Sequence, residues 1–273
     1  MTRSSSVVPP AQLPKTSSKR RFATLRTTLA LVLREMSTRY GRTPGGYLWG
    51  VLEPLAAIIF LSLGFSLVLR SPSLGTSFLL FYATGYLPFN LYGSLSGSVA
   101  GALKFSRPLL KYPAVTWLDA VLARFLLNSL TNILIAALLL TGILAVIGSR
   151  STLDLPVIVL GFSLAMVLGL AVGALNCVLI GLYPMWNMIW GIFTRPLFLA
   201  SGVIYIYEDL PALAQQVLWY NPLIHITGLT RTGFFSTYNP SYVSISYVLM
   251  LSLIILTMGL LLLRRYHRVI LNR

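Results

Sequence analysis

Apolar residues fall along this chain in runs of about twenty, the length that carries a helix across a hydrocarbon core, and short polar or basic stretches separate the runs. Six spans are predicted, near residues 51–69, 78–100, 118–147, 156–182, 185–206 and 242–263. The third and fourth are long enough to tilt or to extend beyond the bilayer. Ahead of them, Phe22, Leu25, Leu29, Val32, Leu33 and Met36 recur at steps of three and four, giving one apolar stripe on a helix that does not cross. Arg20, Arg21, Arg26, Arg34 and Arg39 flank the stripe, and Glu35 stands one turn from Arg39. Such a helix lies in the membrane interface, held by apolar burial and anionic lipid. The expected organisation is a disordered Ser/Pro-rich tail (1–19), an amphipathic interfacial helix with its lead-in (20–50), a six-span unit (51–263) and a basic tail (264–273).

Between the last two runs the pattern changes. "EDLPALAQQVLWYNPLIHITGLTRTGFFSTYNP" holds two Asn-Pro pairs, Asn221-Pro222 and Asn239-Pro240, each offering an N-cap and a proline at the first helical position. The second pair is expected to open the last span. The first opens a helix of about a dozen residues, and Asp209 with Pro211 opens another of similar length, both too short to cross the core of about 30 Å. They read as re-entrant or interfacial helices, tolerated at depth only against protein or a watery cavity. The expected fold is all-α and integral to the membrane: six transmembrane helices, an N-terminal interfacial helix and two short re-entrant helices before the last span.

Composition agrees. The 273 residues are 56% hydrophobic and 10% charged, where a soluble domain carries about a quarter charged. A net charge of +15 would suggest nucleic acid in a soluble chain. Here the basic residues cluster between and beyond the spans, so no nucleic-acid partner is expected. Sixteen Lys and Arg fall on the side of the termini and the 101–117 loop, against three (Arg70, Arg150, Arg231) on the other. That bias places both termini in the cytoplasm. No cleavable signal pattern precedes the first span, which is expected to stay as an anchor.

Several chemistries are excluded. Cys177 is alone, and His225 and His267 lie far apart outside any ligand motif, so no metal site is expected. No G-x-x-x-x-G-K-[ST] loop binds ATP. The six acids (Glu35, Glu53, Asp119, Asp154, Glu208, Asp209) are predicted at span ends or in loops, which leaves no acidic relay for ion-coupled transport and no carboxylate pair for a membrane glycosyltransferase. The serines of "GSLSG" (93–97) lie in a membrane helix and read as back-bonding to the preceding turn.

Arg195 is the candidate with the sharpest signal: an arginine mid-way along "GIFTRPLFLASGVIY", followed by Pro196. A cation at that depth faces protein or water rather than lipid. It either caps carbonyls freed by Pro196 or lines a wet conduit. Arg124, Asn128 and Asn132 share one face of the third span and bond between helices or line the same path. Arg39 and Arg42, beside Tyr40 and Tyr47, either suit a phosphate at headgroup depth or serve only orientation and ordinary lipid contact. Small residues at every fourth position of the fourth span (Gly161, Ala165, Gly169, Gly173, Cys177, Gly181) allow close helix packing, within one subunit or between two.

In order along the chain these pieces resemble a known family. "LVLREMSTRYGRTPGGYLWGVLEPL" (31–55) is similar to the lead-in of type-2 ABC exporter permeases. "RPLFLASGVIYIYEDLP" (195–211) with "WYNPLIHITGLTRTGFF" (219–235) resembles the Kps-type subgroup that exports capsular polysaccharide. The resemblance implies a homodimeric half-transporter in a bacterial inner membrane, working with two copies of a separate ATPase that binds ATP and Mg. It implies ATPase contacts through the interfacial helix and through Lys104, Phe105, Arg107, Leu109, Leu110 and Lys111. A periplasmic gate would be built around Pro211, Trp219, Tyr220, Asn221, Pro222 and Arg231. The implied cargo is a lipid-linked acidic polysaccharide, handed to periplasmic and outer-membrane export proteins. An O-antigen or teichoic-acid permease, or a membrane enzyme of polymer assembly, is the alternative.

Overall fold

The computed structural model describes residues 23–40, 46–110, 115–148 and 153–272. The described elements are helical: α1 (Ala23–Tyr40), α2 (Gly46–Ser66), α3 (Phe78–Ala100), α4 (Ala102–Ser106), α5 (Trp117–Ile147), α6 (Leu155–Leu182), α7 (Trp186–Ala200), a 3₁₀ turn at Tyr207–Asp209, α8 (Ala212–Leu218), α9 (Pro222–Thr232) and α10 (Ile245–Asn272). Polar side chains set the starts. Ser77 accepts the Leu80 N–H at 3.4 Å, and Asp154 accepts that of Val157 at 3.3 Å. At α5, Thr116 and Asp119 cap reciprocally: Asp119 N–H donates to Thr116 Oγ1 (3.2 Å) and Thr116 N–H to Asp119 Oδ2 (2.9 Å).

α6 forms the axis, packed along its length by α3 on one side and α10 on another. Its small residues make this possible. A Cβ on Gly169 or Gly173 would stand 2.9 or 2.7 Å from Leu95 or Val99 of α3, and one on Gly181 would stand 2.6 Å from Ile270 of α10. Gly259 returns the favour from α10, lying against the backbone of Ala174 and Leu175. Van der Waals contact at backbone range is the main attraction between helices in lipid. The every-fourth-residue stripe therefore packs inside the subunit.

Among the described residues, four helices are long and apolar enough to cross a membrane: 48–66 within α2, and α5, α6 and α10. The chain is a multi-pass, all-α membrane bundle. α3 has 23 residues, but its tyrosines, serines and Asn90 make it more polar. α7 has only 15 and buries none of them. Several predicted boundaries move. α2 stops at Ser66 rather than 69, and α10 runs nine residues past 263, because Leu263, Tyr266 and Ile270 continue its apolar stripe against the base of α6. The segment expected as a basic tail is thus helical through Asn272. Asn239-Pro240 does not open α10: that helix starts at Ile245 with Ser244 Oγ accepting the Tyr247 N–H (3.3 Å), since residues 238–244 are drawn onto α9.

Candidate functional site

α7 is predicted to run to 206 and ends at Ala200. Gly202, at φ +69°, turns the chain, and α9 then takes the carbonyls that a longer helix would have used. Asn221 Nδ2 donates to Ala200 O (2.8 Å), Thr227 Oγ1 to Ser201 O (2.8 Å), and Arg231 to Val203 O and Tyr205 O (2.9 and 2.7 Å). Three carbonyls of the irregular stretch 201–206 are thereby satisfied by protein. Asn221 also accepts the Leu223 N–H at 3.1 Å and starts α9 where the Asn-Pro pair places it. Pro211 stands at the start of α8, which has seven residues rather than about a dozen.

Arg231 is the most deeply sunk cation among the described residues. It is 1% exposed, and its guanidinium lies 4.2 Å above the Phe81 ring. Gly85 clears the space; a Cβ there would sit 2.9 Å from Nη2. Burial lowers its pKa to about 10, and the neighbouring Tyr242, Tyr238, Tyr82 and Glu208 offset part of that fall. It stays a cation at neutral pH.

An aromatic cluster closes the same end. His225 donates from Nε2 to Trp219 O (2.7 Å) while Nδ1 accepts the Ser244 N–H (3.2 Å). These two partners fix a neutral ring with its proton on Nε2. Trp219 packs on His225, Tyr220 and Tyr247, and Tyr247 OH donates to Tyr220 O. Tyr238 OH donates to Glu208 Oε2 at 3.0 Å. Tyr207, Gln216, Val217, Trp219 and Tyr220 line an open depression of about 690 Å³.

Arg195 has the opposite surroundings. It is exposed on α7, and no hydrogen bond or ion pair holds it among the described residues. The helix continues through Pro196, and the guanidinium caps no carbonyl there. One turn on, Phe198 packs its ring edgewise against Tyr86 and Phe89 of α3, which pins α7 while the arginine stays clear.

At the other end, the α5 face predicted from Arg124, Asn128 and Asn132 is bonded between and along helices. Asn128 Nδ2 donates to Arg124 O (2.7 Å), and Asn132 Nδ2 to Asn128 O (2.8 Å) and Ser94 Oγ (3.0 Å). Arg124 Nη1 donates to Ser98 O at 2.8 Å, and its Nε lies 3.1 Å from Glu35 Oε1. Sequence reasoning missed this partner, having set Glu35 beside Arg39.

The 101–117 loop forms the short α4 and a following turn. Lys104, Phe105 and Arg107 are exposed, and Leu109 and Leu110 are half-buried. The structure brings Phe105 to Arg124 but leaves Arg195 far along the chain on another helix. Lys111 and Arg42 lie outside the described residues. Arg39 and Tyr40 end α1 and Tyr47 begins α2, with side chains likewise outside the description.

This bundle has a helix lying ahead of its spans and short helices folded in before the last. The ABC-2 type transporter family matches residues 26–235, and the chain belongs to that family. It is 30% identical over 238 residues to the polysialic acid transport protein KpsM of Escherichia coli, covering 87% of this chain and 92% of that one. It is also 28% identical over 240 residues to the capsule polysaccharide export inner-membrane protein BexB of Haemophilus influenzae (88% and 90% covered). With CtrC of Neisseria meningitidis serogroup B, of the same description, it shares 26% over 258 residues (94% and 97%). The resemblance carried by the 195–211 and 219–235 stretches is borne out over most of the chain.

Proposed function

We propose that this chain is the membrane-spanning half of an ATP-driven exporter that moves lipid-linked capsular polysaccharide from the cytoplasm across a bacterial inner membrane. The observation that carries this reading is its match to a polysialic acid transport protein and two capsule polysaccharide export inner-membrane proteins over nearly the full length of each. Members of the ABC-2 type family carry no ATPase of their own, in keeping with the missing phosphate-binding loop. The transporter is then two copies of this chain with two copies of a separate ATPase, which binds ATP and Mg.

In this reading α3 and α7 also cross, completing six spans, and the Lys/Arg bias sets α1, α4 and both termini on the cytoplasmic side. α4 and the turn through Leu110 dock the ATPase, with Leu109 as apolar anchor in the turn that follows Lys104 and Arg107. The α8–α9 end forms the periplasmic gate. Arg195, unpaired on α7, faces the conduit and attracts acidic sugars. Arg39 and Arg42 meet the phosphate of the lipid anchor. Downstream periplasmic and outer-membrane proteins receive the chain.

The test is reconstitution with its partner ATPase. The complex is expected to hydrolyse ATP and to move lipid-linked acidic polymer across vesicle membranes. Turnover of a lipid-linked sugar without ATP would replace this reading with that of a membrane enzyme.

A further inference from the structure

Four elements meet at one arginine. The Arg124 guanidinium, on α5, is in ion-pair contact with the Glu35 carboxylate of α1 at 3.1 Å. It donates to the Ser98 carbonyl of α3 at 2.8 Å and lies 4.3 Å over the Phe105 ring of α4. Arg34 of α1 approaches the same ring at 5.9 Å. Gly101, between α3 and α4, has no Cβ because one would stand 2.9 Å from Arg124 Nη1. The carboxylate is 3% exposed and the arginine side chain 14%.

This is an odd investment for a helix such as α1, which leaves Leu29, Leu33 and Met36 exposed and packs chiefly against α5. A carboxylate withdrawn from water costs stability unless it is paired, so Glu35 commits α1 to wherever Arg124 goes. Arg124 is committed in turn to Phe105, the exposed aromatic of α4. A displacement of α4 thus cannot occur without moving, or breaking, contacts to α1 and α5 together.

We propose that Arg124, held by Glu35 and seated on Phe105, is a positioning residue that converts movement of the ATPase-docking helix α4 into movement of α1 and α5. This rests on the reading of α4 as the docking element. The pair transmits work; it binds neither ATP nor cargo. Coupling between linked sites is commonly worth five- to 150-fold, so loss of one link is expected to lower the yield of transport by about tenfold.

The experiment uses the full complex of permease and ATPase in vesicles and reads polymer exported per ATP hydrolysed. Glu35→Gln keeps shape and removes the charge. The variant is expected to recover the ATPase normally and hydrolyse ATP near the wild-type rate, with export per ATP down about tenfold. Glu35→Asp keeps the charge at shorter reach and restores part of the ratio. An unchanged ratio in Glu35→Gln, or equal losses in Gln and Asp, overturns the proposal. Should Glu35→Gln not accumulate, Phe105→Leu leaves the ion pair in place and is expected to lower the same ratio; a wild-type ratio there overturns it. Leu109→Asp separates the two readings. Normal ATPase recovery with that variant removes the docking role of α4 and this proposal with it. Lost recovery there, beside an unchanged ratio in Glu35→Gln, removes the joint alone.

Discussion

Arg231 and Arg195 sit on neighbouring pieces of chain and live in opposite worlds. Arg231 is enclosed by α3, α9 and the 201–206 loop, with two carbonyls in its fork and an aromatic ring beneath it. Arg195 stands exposed on a helix that buries none of its residues. The first is built into the fold and has no freedom to meet a solute. The second contributes nothing to packing, which is the condition for a residue that touches something passing. Depth in the sequence of apolar residues says a cation is expensive; only its partners say whether it is structural.

Substitutions that disturb the enclosed arginine should therefore hurt folding most. Arg231→Ala leaves the Val203 and Tyr205 carbonyls without donors, at roughly 1–3 kcal/mol for each that is buried, and hollows the space above Phe81. A large drop in thermal stability in detergent is expected, with the 201–206 loop becoming protease-sensitive; an unchanged melt would mean the loop is held by α9 without it. Gly85→Ala attacks the same pocket from α3, where the new methyl meets Nη2 and the Val203 backbone. About 1–3 kcal/mol of overpacking strain is expected, visible as a smaller fall in the melt.

His225 gives a pH handle on the same end. Burial lowers its pKa from the usual 6.5, while its Trp219 and Tyr242 contacts act the other way. The folded state thus binds a proton less readily than the unfolded one. The neutral ring's contribution is fully present above about pH 6.5 and is lost as pH falls through the lowered value, by at most about 1.4 kcal/mol per pH unit. Protonation also turns Nδ1 into a donor facing the Ser244 N–H. Melting temperature should decline between pH 7 and 5.5, and His225→Gln should flatten that slope. Smallest on folding, and sharpest as a contrast, is Arg195→Ala. Its stability should stay within about 0.5 kcal/mol of wild type, as for other exposed positions, while export falls and Arg195→Lys retains part of it. A variant that fails to accumulate would give Arg195 a structural role after all.

What could be read from sequence follows the range of the forces involved. The spans at 78–100, 118–147 and 156–182 match α3, α5 and α6 to within a residue because their limits are set locally, by Ser77, Thr116 and Asp154. Asn221-Pro222 placed α9 for the same reason. α7 ended early because its carbonyls are claimed by side chains 21 to 28 positions further on, and no local pattern announces that. The charge count set Arg231 on the outer side, and only family likeness marked it as a site residue. The spacing rule that set Glu35 beside Arg39 is sound for an isolated helix, yet Glu35 reaches Arg124 across the fold. Arg195 was legible because its signal is the absence of partners nearby.

The shortness of α7 has an electrical consequence. Its 15 residues rise about 22 Å, and beyond Ala200 the chain turns at Gly202 and gives its carbonyls to Thr227 and Arg231 of α9. That rise falls short of the full hydrocarbon core of about 30 Å. The cost of carrying an ion across a membrane depends on the thickness of low-dielectric material it must leave water to enter. In the proposed reading, where α7 crosses the membrane, its shortness would thin that layer on one side of the bundle, and the positive charge of Arg195 there would ease the passage of anions alone.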